Sequence, residues 1–371
     1  SKVIRDVKTQ VAISSQIDRT LQKDQNEDQQ RVKILLLGSA DAGKSTILKQ
    51  MRILHMNGFD IEEMHSFKKH LRFNVFQIFH EVAIGVHDCV PNIPDDEKNV
   101  IVRFAEGLSW INGMDENKEI DILLNFRQMD CVCHFMKQYP NYSSLPDNAH
   151  YYLPNLASLL STDYTPTAED ILHLRVPTAS VNEIYFSFNS TKIRLIDVGG
   201  QRAYRKKWIH CFEGVSAVLF VASMAAYDQS LDGVDSFAKP VLHKDLFPAE
   251  HTTPKVGNRM RDSAQLFGEM LRSPYLISSA FILFLNKTST CRDTVSFSTL
   301  HDPISISDGS NEQDASEYLK EYFLMRKSKK DVDRKIYSHF TCATDTKNVD
   351  FVFTAACDIV LQKSLNKGGF Q

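Results

Sequence analysis

The chain has 371 residues, 43% of them hydrophobic and 24% charged, with a formal net charge of −3. That length predicts about two domains, and the composition excludes global disorder. The near-neutral balance excludes a chain-wide basic field for nucleic acid, and no apolar run reaches the roughly 18 residues that a membrane span needs.

Residues 1–30 are polar and carry a sparse apolar stripe, Val3, Val7, Val11, Ile17 and Leu21, at helical spacing. The stripe is too thin for a core. It predicts an arm that packs on a partner or a neighbouring domain, or else a solvated helix. The stretch has no signal-peptide core. Val32–Leu37 then reads as a buried strand ending at Gly38, and Thr46–His55 as a helix. Residues 58–172 read as mostly helical, with helices over Phe67–Val86, Lys98–Leu108 and Lys118–Tyr139, and can form a bundle of their own. From Glu183 the strands resume. Ile184–Phe188 and Lys192–Ile196 form a hairpin across Asn189-Ser190-Thr191, followed by strands at Ala217–Ala222, Ala280–Leu285 and Ile336–Thr341. Asn258–Leu271, Ala315–Arg326 and Val349–Leu365 read as helices. This alternation predicts an α/β fold with a mainly parallel sheet covered on both faces, and with the helical block inserted after its first helix. Residues 227–257 and 286–314 read as surface insertions.

Cys89, Cys131, Cys133, Cys211, Cys291, Cys342 and Cys357 are scattered, and the lone C-x-C at 131–133 lacks a second pair for zinc. Reduced thiols of a cytosolic protein are expected.

Gly38-Ser39-Ala40-Asp41-Ala42-Gly43-Lys44-Ser45 fits G-x-x-x-x-G-K-[ST] between a strand and a helix. The glycines permit a tight loop whose N–H groups surround phosphate oxygens. Lys44 adds a point charge at the terminal phosphates, and the Ser45 hydroxyl can ligate Mg²⁺. Asp197-Val198-Gly199-Gly200-Gln201 follows the strand ending at Ile196. Asp197 suits a Mg²⁺ role, the glycines admit a terminal phosphate, and Gln201 can orient an attacking water. Arg175 and Thr178, in Leu174-Arg175-Val176-Pro177-Thr178, can stabilise charge on a transferred phosphoryl group and complete the Mg²⁺ shell. Spacing alone favours the plainer reading, since an Arg before Pro is more often a surface residue. Asn286-Lys287 and Thr341-Cys342-Ala343-Thr344 each close a strand where a base can lie at the sheet edge.

The combination resembles a heterotrimeric G-protein α subunit over nearly the whole chain: GSADAGKST at 38–46, RVPT at 175–178, DVGGQR at 197–202, KKWIHCFEGV at 206–215, FLNK at 284–287 and TCATDT at 341–346. Ala149-His150-Tyr151-Tyr152-Leu153 in the helical block fits the same pattern. The resemblance implies an N-terminal helix over 1–30, a Ras-like GTPase domain over 31–57 and 173–371, and an inserted all-helical domain over 58–172 that clamps GTP or GDP against it. It implies nucleotide contacts from Gly38, Asp41, Ala42, Gly43, Lys44, Ser45, Thr46, Asp147, Asn148, Leu174, Arg175, Thr178, Gly200, Asn286, Lys287, Cys342, Ala343 and Thr344. Lys44 would meet the β/γ-phosphates, Ser45 and Thr178 would ligate Mg²⁺, and Asp197 would act through water. Arg175 would be a built-in arginine finger, Gln201 would position the water, and Asp41 can pair with Arg175. Asn286 and Lys287 would border the guanine, and Ala343 would offer it a backbone N–H. Implied partners are a βγ dimer facing the N-terminal helix and Arg202–Trp208, a seven-transmembrane receptor facing the C-terminal helix, and effectors and RGS-type regulators. A peripheral place on the inner face of the plasma membrane is implied too, although no lipid-attachment signal is visible in this sequence.

The chain departs from that pattern at several positions. Ala40 and Ala42 stand where the family usually has Gly and Ser, Tyr204 where it has Glu, and Ala179-Ser180 lack its usual Gly. Gly368 occupies a position where some members carry a modifiable cysteine. The guanine motif N-K-x-D reads Asn286-Lys287-Thr288-Ser289, with Asp293 as a candidate substitute acceptor. Two rival readings are a scaffold that holds nucleotide with little turnover, and a phosphate-loop kinase, which leaves Lys206–Val215 unexplained. Because serine cannot accept both the N1 and N2 donors of guanine, discrimination should weaken by about 1–3 kcal/mol. Competition binding of GTP, ITP and ATP checks this; a GTP-over-ITP preference as strong as that of a typical family member would refute it.

Overall fold

The computed structural model describes residues 31–107, 115–139, 145–226, 258–288, 312–328 and 334–367, with isolated positions 16, 19, 22, 142 and 229. The apolar stripe of the first 30 residues, most of both expected insertions, Ser289, Cys291, Asp293 and Gly368 lie outside the described residues.

Six strands form one sheet: β1 (Val32–Leu37), β2 (Asn182–Phe188), β3 (Thr191–Asp197), β4 (Ala217–Ser223), β5 (Ala280–Asn286) and β6 (Ile336–Thr341). Their order is β2-β3-β1-β4-β5-β6, with β2 and β3 antiparallel and every other pairing parallel. The β2–β3 connection is tighter than the sequence suggested. Asn189 and Ser190 alone make the turn, at φ of 45° and 62°, and Thr191 already pairs with Phe188. Two left-handed residues match the twist of the flanking strands.

Strand periodicity divides the core. Leu35 and Leu37 of β1 join Phe220, Phe281 and Leu283 on one face, where Trp208, Phe212, Phe267 and Phe323 cover them. Ile34 and Leu36 join Leu219, Ile282 and Phe284 on the other, beneath Ile47, Met51, Phe353 and Val360. Both faces are therefore dry, as expected of parallel strands with continuous apolar runs. Burying each such side chain contributes about 1.5–3 kcal/mol. Helix α1 (Lys44–His55) follows β1 and lies on the second face.

Between α1 and β2 runs a block of helices: α2 (Ile61–Ser66), α3 (Lys68–Cys89), α4 (Asp95–Glu106), α5 (Glu116–Gln128), α6 (Asp130–Gln138), α7 (Ala149–Tyr152), α8 (Leu156–Leu160) and α9 (Ala168–His173). They share an apolar cluster distinct from those of the sheet, built on Val75, Phe79, Phe104, Phe126, Phe135 and Tyr152, with Ile53 of α1 packed at its margin. The single helix expected over Lys118–Tyr139 is two. Met129 is extended, at φ −58° and ψ 138°. The Glu97 carboxylate of α4 then accepts the N–H groups of Asp130 at 3.1 Å and Cys131 at 3.3 Å. A tertiary cap therefore starts α6 where local periodicity would continue the helix. Cys131 and Phe135 are buried in this packing, and the six described cysteines are free thiols.

After the sheet's fourth strand come α10 (Arg259–Arg272), α11 (Glu312–Leu324) and α12 (Thr346–Lys367). Asn258 caps α10 through Arg261 N–H at 3.1 Å, and Asp345 caps α12 through Lys347 and Asn348 N–H at 3.0 and 3.1 Å.

Gly85 of α3 has no room for a side chain, since a Cβ there would lie 2.3 Å from Cζ of the fully buried Phe135. Gly85→Val should therefore lower stability by about 1–3 kcal/mol, an overpacking cost larger than any helix-propensity gain. Denaturant unfolding measures it, and an unchanged midpoint would show that the α3–α6 contact yields freely.

Candidate functional site

The site lies at the carboxyl ends of the parallel strands, where β1 turns into α1. Gly38 and Gly43 adopt φ of 143° and 100°, and Asp41 adopts 57°. A Cβ on Gly38 would sit 2.1 Å from the Val221 carbonyl oxygen, and one on Gly43 2.2 Å from Asn286 Nδ2. Both positions therefore demand glycine, for backbone angle and for close approach. Helix α1 begins after Gly43 without a side-chain cap, so its N-terminal N–H groups face the loop.

Lys44 is 5% exposed and folds back over the loop, donating to the carbonyls of Gly38 at 3.1 Å and Ser39 at 2.7 Å. Burial pushes its ammonium down to about 8, with Asp197 opposing and Arg205 adding to the depression. Asp197, at the end of β3, is fully buried, and desolvation raises its carboxyl although Lys44 and the Ser45 hydroxyl pull the other way. Ser45 Oγ donates to Asp197 Oδ2 at 2.5 Å and lies 2.7 Å from Thr178 Oγ1. Asp197 Oδ1 is buried with no hydrogen-bond partner. Three residues far apart in the chain thus place four oxygens together, all hard donors.

Gly199 and Gly200 come equally close. A Cβ on Gly199 would lie 2.3 Å from the Thr178 carbonyl, and one on Gly200 2.4 Å from Lys44 Nζ. Trp208 Nε1 donates to Gly199 O at 2.9 Å, while Arg202 and Arg205 clamp Asp262 of α10 at 2.6 and 2.9 Å. Gln201, half-buried, starts the short 3₁₀ segment Arg202–Cys211. Tyr204 packs on Gly199.

Across the loop, Arg175 forms an ion pair with Asp41, whose Oδ2 also lies 3.4 Å from Arg259 Nη2. Desolvation would raise the Asp41 carboxyl, but Arg175, Lys287 and Arg259 outweigh it and hold it well below the usual carboxylate range. A second pair, Asp147 with Lys287, runs parallel to the first, and there too the lysine overcomes burial to lower the carboxyl. Both pairs join the helical block or its exit segment to loops at the strand ends.

Asn286 is 1% exposed and holds three loops together. Its Nδ2 donates to Ala42 O at 2.8 Å, and its Oδ1 accepts from Thr341 Oγ1 at 3.1 Å and Ala343 N–H at 2.9 Å. Gln50 of α1, fully buried, donates to Ala343 O at 2.9 Å. Cys342 N–H bonds to Asn348 Oδ1 at 2.9 Å, and its thiol lies 3.4 Å from Thr344 Oγ1. Lys287 is left-handed, at φ 66°.

Contacts thus gather Lys44, Ser45, Asp41, Arg175, Thr178, Asp197, Gly200, Asn286 and Lys287 about the β1–α1 loop, while three other sequence-predicted residues are engaged otherwise. Ala343 N–H, expected to point at a base, is already taken by Asn286. Asn148 is 4% exposed inside the helical block and spends its Nδ2 on Asn74 Oδ1 and His173 O, at 2.9 and 3.1 Å. Leu174 is buried, and its carbonyl receives Lys49 at 3.1 Å. Sequence reasoning missed Asn74, Gln50, Lys49, Arg259 and Asp262. The signal for Gln50 and Asn74 was available: each is an uncharged polar residue on an otherwise apolar helix face.

The fold and the cleft define an α/β protein with a phosphate-type loop at the carboxyl ends of a mainly parallel sheet. Residues 11–360 match the family model for the G-protein alpha subunit. The chain is 33% identical, over 97% of its own length and 94% of the relative's, to the guanine nucleotide-binding protein alpha-5 subunit of Caenorhabditis briggsae. It is 31% identical, over 94% of each chain, to the protein of the same name from Caenorhabditis elegans. The chain belongs to the G-protein alpha subunit family, a family of guanine-nucleotide-binding signalling proteins.

His173, at the junction of helical block and sheet, stacks on Tyr151 at 3.9 Å, and burial pushes its imidazole down from 6.5 to about 4. Between those values the unfolded chain binds the extra proton and the folded chain does not, so stability falls as pH drops through that window. His173→Phe keeps the stacking and removes the titration. Denaturant unfolding at pH 7 and pH 5 should show a smaller loss for the variant; equal losses would mean that other groups carry the acid sensitivity.

Proposed function

We propose that the chain is a molecular switch that binds GTP with Mg²⁺ and hydrolyses it to GDP and phosphate. The observation that carries this reading is the convergence of Lys44, Ser45, Thr178, Asp197 and Gly200 on one loop. A lysine ammonium over a loop of main-chain dipoles suits a polyphosphate, and glycine at 38, 43, 199 and 200 lets backbone approach it closely. The donor set fits Mg²⁺: two hydroxyls in contact, and a buried carboxylate with one oxygen unpartnered. Ser45 and Thr178 would hold the ion and Asp197 would act through water. Held there, Mg²⁺ would neutralise negative charge on the phosphate tail.

Hydrolysis is then positioning and electrostatics. Gln201 orients the water in line with the γ-phosphoryl group. Lys44, already partly desolvated, stays at the β/γ oxygens. The Arg175 guanidinium leaves Asp41 and turns to the phosphoryl charge, while Arg259 remains beside Asp41. Asn286 and Lys287 border the guanine, and Ala343 shares its N–H between Asn286 and the base.

Residues 31–57 and 173–371 form the GTPase domain and 58–172 a helical domain that closes over the nucleotide; the separate apolar cluster of the helical block supports that division. Two ion pairs, Arg175–Asp41 and Lys287–Asp147, support the closed clamp. Partners follow the family: a βγ dimer at residues 1–30 and Arg202–Trp208, a seven-transmembrane receptor at α12, and effectors and RGS-type regulators at the segments that γ-phosphate orders. No described helix is long and apolar enough to cross a membrane, and attachment at the inner face of the plasma membrane would be peripheral.

Single-turnover phosphate release from GTP-loaded protein tests the reading. Gln201→Leu should slow it about 10²-fold and Arg175→Ala about 10³-fold, and chelating Mg²⁺ should abolish it. Wild-type rates in Gln201→Leu would overturn the catalytic assignment of Gln201, and nucleotide binding without phosphate release by the wild type would leave a nucleotide-holding scaffold. An absence of any purine nucleotide binding would overturn the site itself.

A further inference from the structure

Asn74 lies in the second turn of α3 and is 2% exposed, between Leu71, Val75 and Ile78. An amide in such surroundings costs stability unless each polar atom is bonded. Here each is bonded, and to one target. Asn74 Oδ1 accepts the main-chain N–H of Arg175 at 2.7 Å, and its Nδ2 donates to the main-chain carbonyl of Arg175 at 2.9 Å. The side chain therefore pairs with both peptide groups of Arg175 as a neighbouring strand would. Asn148, buried beside it, donates to the same Oδ1 at 2.9 Å and fixes the amide's orientation. Arg175 itself lies in an extended stretch outside the sheet, followed by Pro177. Its guanidinium, by contrast, is half-exposed and held by Asp41.

We propose that Asn74, oriented by Asn148, is a positioning residue for phosphoryl transfer: it fixes the Arg175 main chain so that the guanidinium reaches phosphate by side-chain rotation alone. The inference rests on the reading that Arg175 acts in hydrolysis. A purely structural pin is the competing role. The same junction is pinned independently by Lys49, which donates to Ile171 O at 2.7 Å and Leu174 O at 3.1 Å. Removing the Asn74 amide therefore leaves α9 and its exit tied to α1.

The test is a double-mutant cycle on single-turnover GTP hydrolysis, with GTP loading and thermal unfolding followed in parallel. Asn74→Ala should slow hydrolysis about 10- to 100-fold, the scale of a small misplacement of a catalytic group. In the Arg175→Ala background it should cause no further loss. A wild-type rate in Asn74→Ala, or the same fold-loss in both backgrounds, overturns the proposal. Should Asn74→Ala fail to fold, Asn148→Ala decides: a smaller loss that vanishes with Arg175→Ala supports it, and an unchanged rate overturns it. The two readings fail separately. If Arg175→Ala hydrolyses normally, the arginine assignment falls and takes this proposal with it. If Arg175→Ala is slow but Asn74→Ala and Asn148→Ala are not, the proposal alone falls.

Discussion

A single buried carboxamide holds the cleft in shape. Asn286 ends β5, yet its side chain spends one donor on the β1–α1 loop and accepts one hydrogen bond from Thr341 at the end of β6 and one from Ala343 in the loop after it. In a nearly water-free position each bond is stronger than at the surface, and a lost partner would leave a desolvated polar group. The loop it braces contains residues in left-handed backbone, which persist only where their surroundings over-determine them. Glycine at position 43 serves the same contact, because only a missing side chain lets the Asn286 amide reach the carbonyl of Ala42. Sheet, loop and base-side segment therefore form one mechanical unit.

Charge is laid out on that unit in alternation. Lys44 sits near Asp197, Asp41 near Arg175 and Arg259, and Asp147 against Lys287. Burial disfavours the charges of Lys44, Asp197, Asp41, Asp147 and Arg175, and the partners compensate unequally. Asp41 and Asp147 gain enough from their cations to stay ionised more readily than in water, whereas Asp197 does not. Asp197 therefore keeps a carboxyl raised by burial and one oxygen unpartnered, the feature on which the proposed Mg²⁺ role rests. The Asp41 cluster, by contrast, is compensated by its own cations, Arg175 and Arg259.

The strands were legible because parallel strands buried on both faces read as continuous apolar runs, and VKILLL, AVLFVAS and AFILFLN are such runs. The phosphate loop was legible because its backbone angles and close contacts restrict positions 38 and 43 to glycine. The α5–α6 break was not, because its cause is Glu97, more than thirty residues away in sequence, capping a helix whose own residues would continue it. Asn74 was missed for the same reason: nothing near it in sequence explains a polar residue there, and its partner is 101 residues away. Local pattern reports local energetics. Contacts that tie distant segments appear in sequence only as residues out of keeping with their own helix.

Asn74 and Asn286 are instances of one device. Each is a buried asparagine on a regular element, and each bonds main-chain groups of an irregular segment. An amide is suited to this because it offers a donor and an acceptor in one plane, the pattern of a peptide group, without a charge to desolvate. A lysine or aspartate in either place would face a larger burial cost and match only half the pattern. Precision on loops is thus borrowed from helices and strands, whose own positions are fixed by apolar packing on either side. In that arrangement α3 holds the Arg175 backbone as directly as β5, through Asn286, holds the β1–α1 loop.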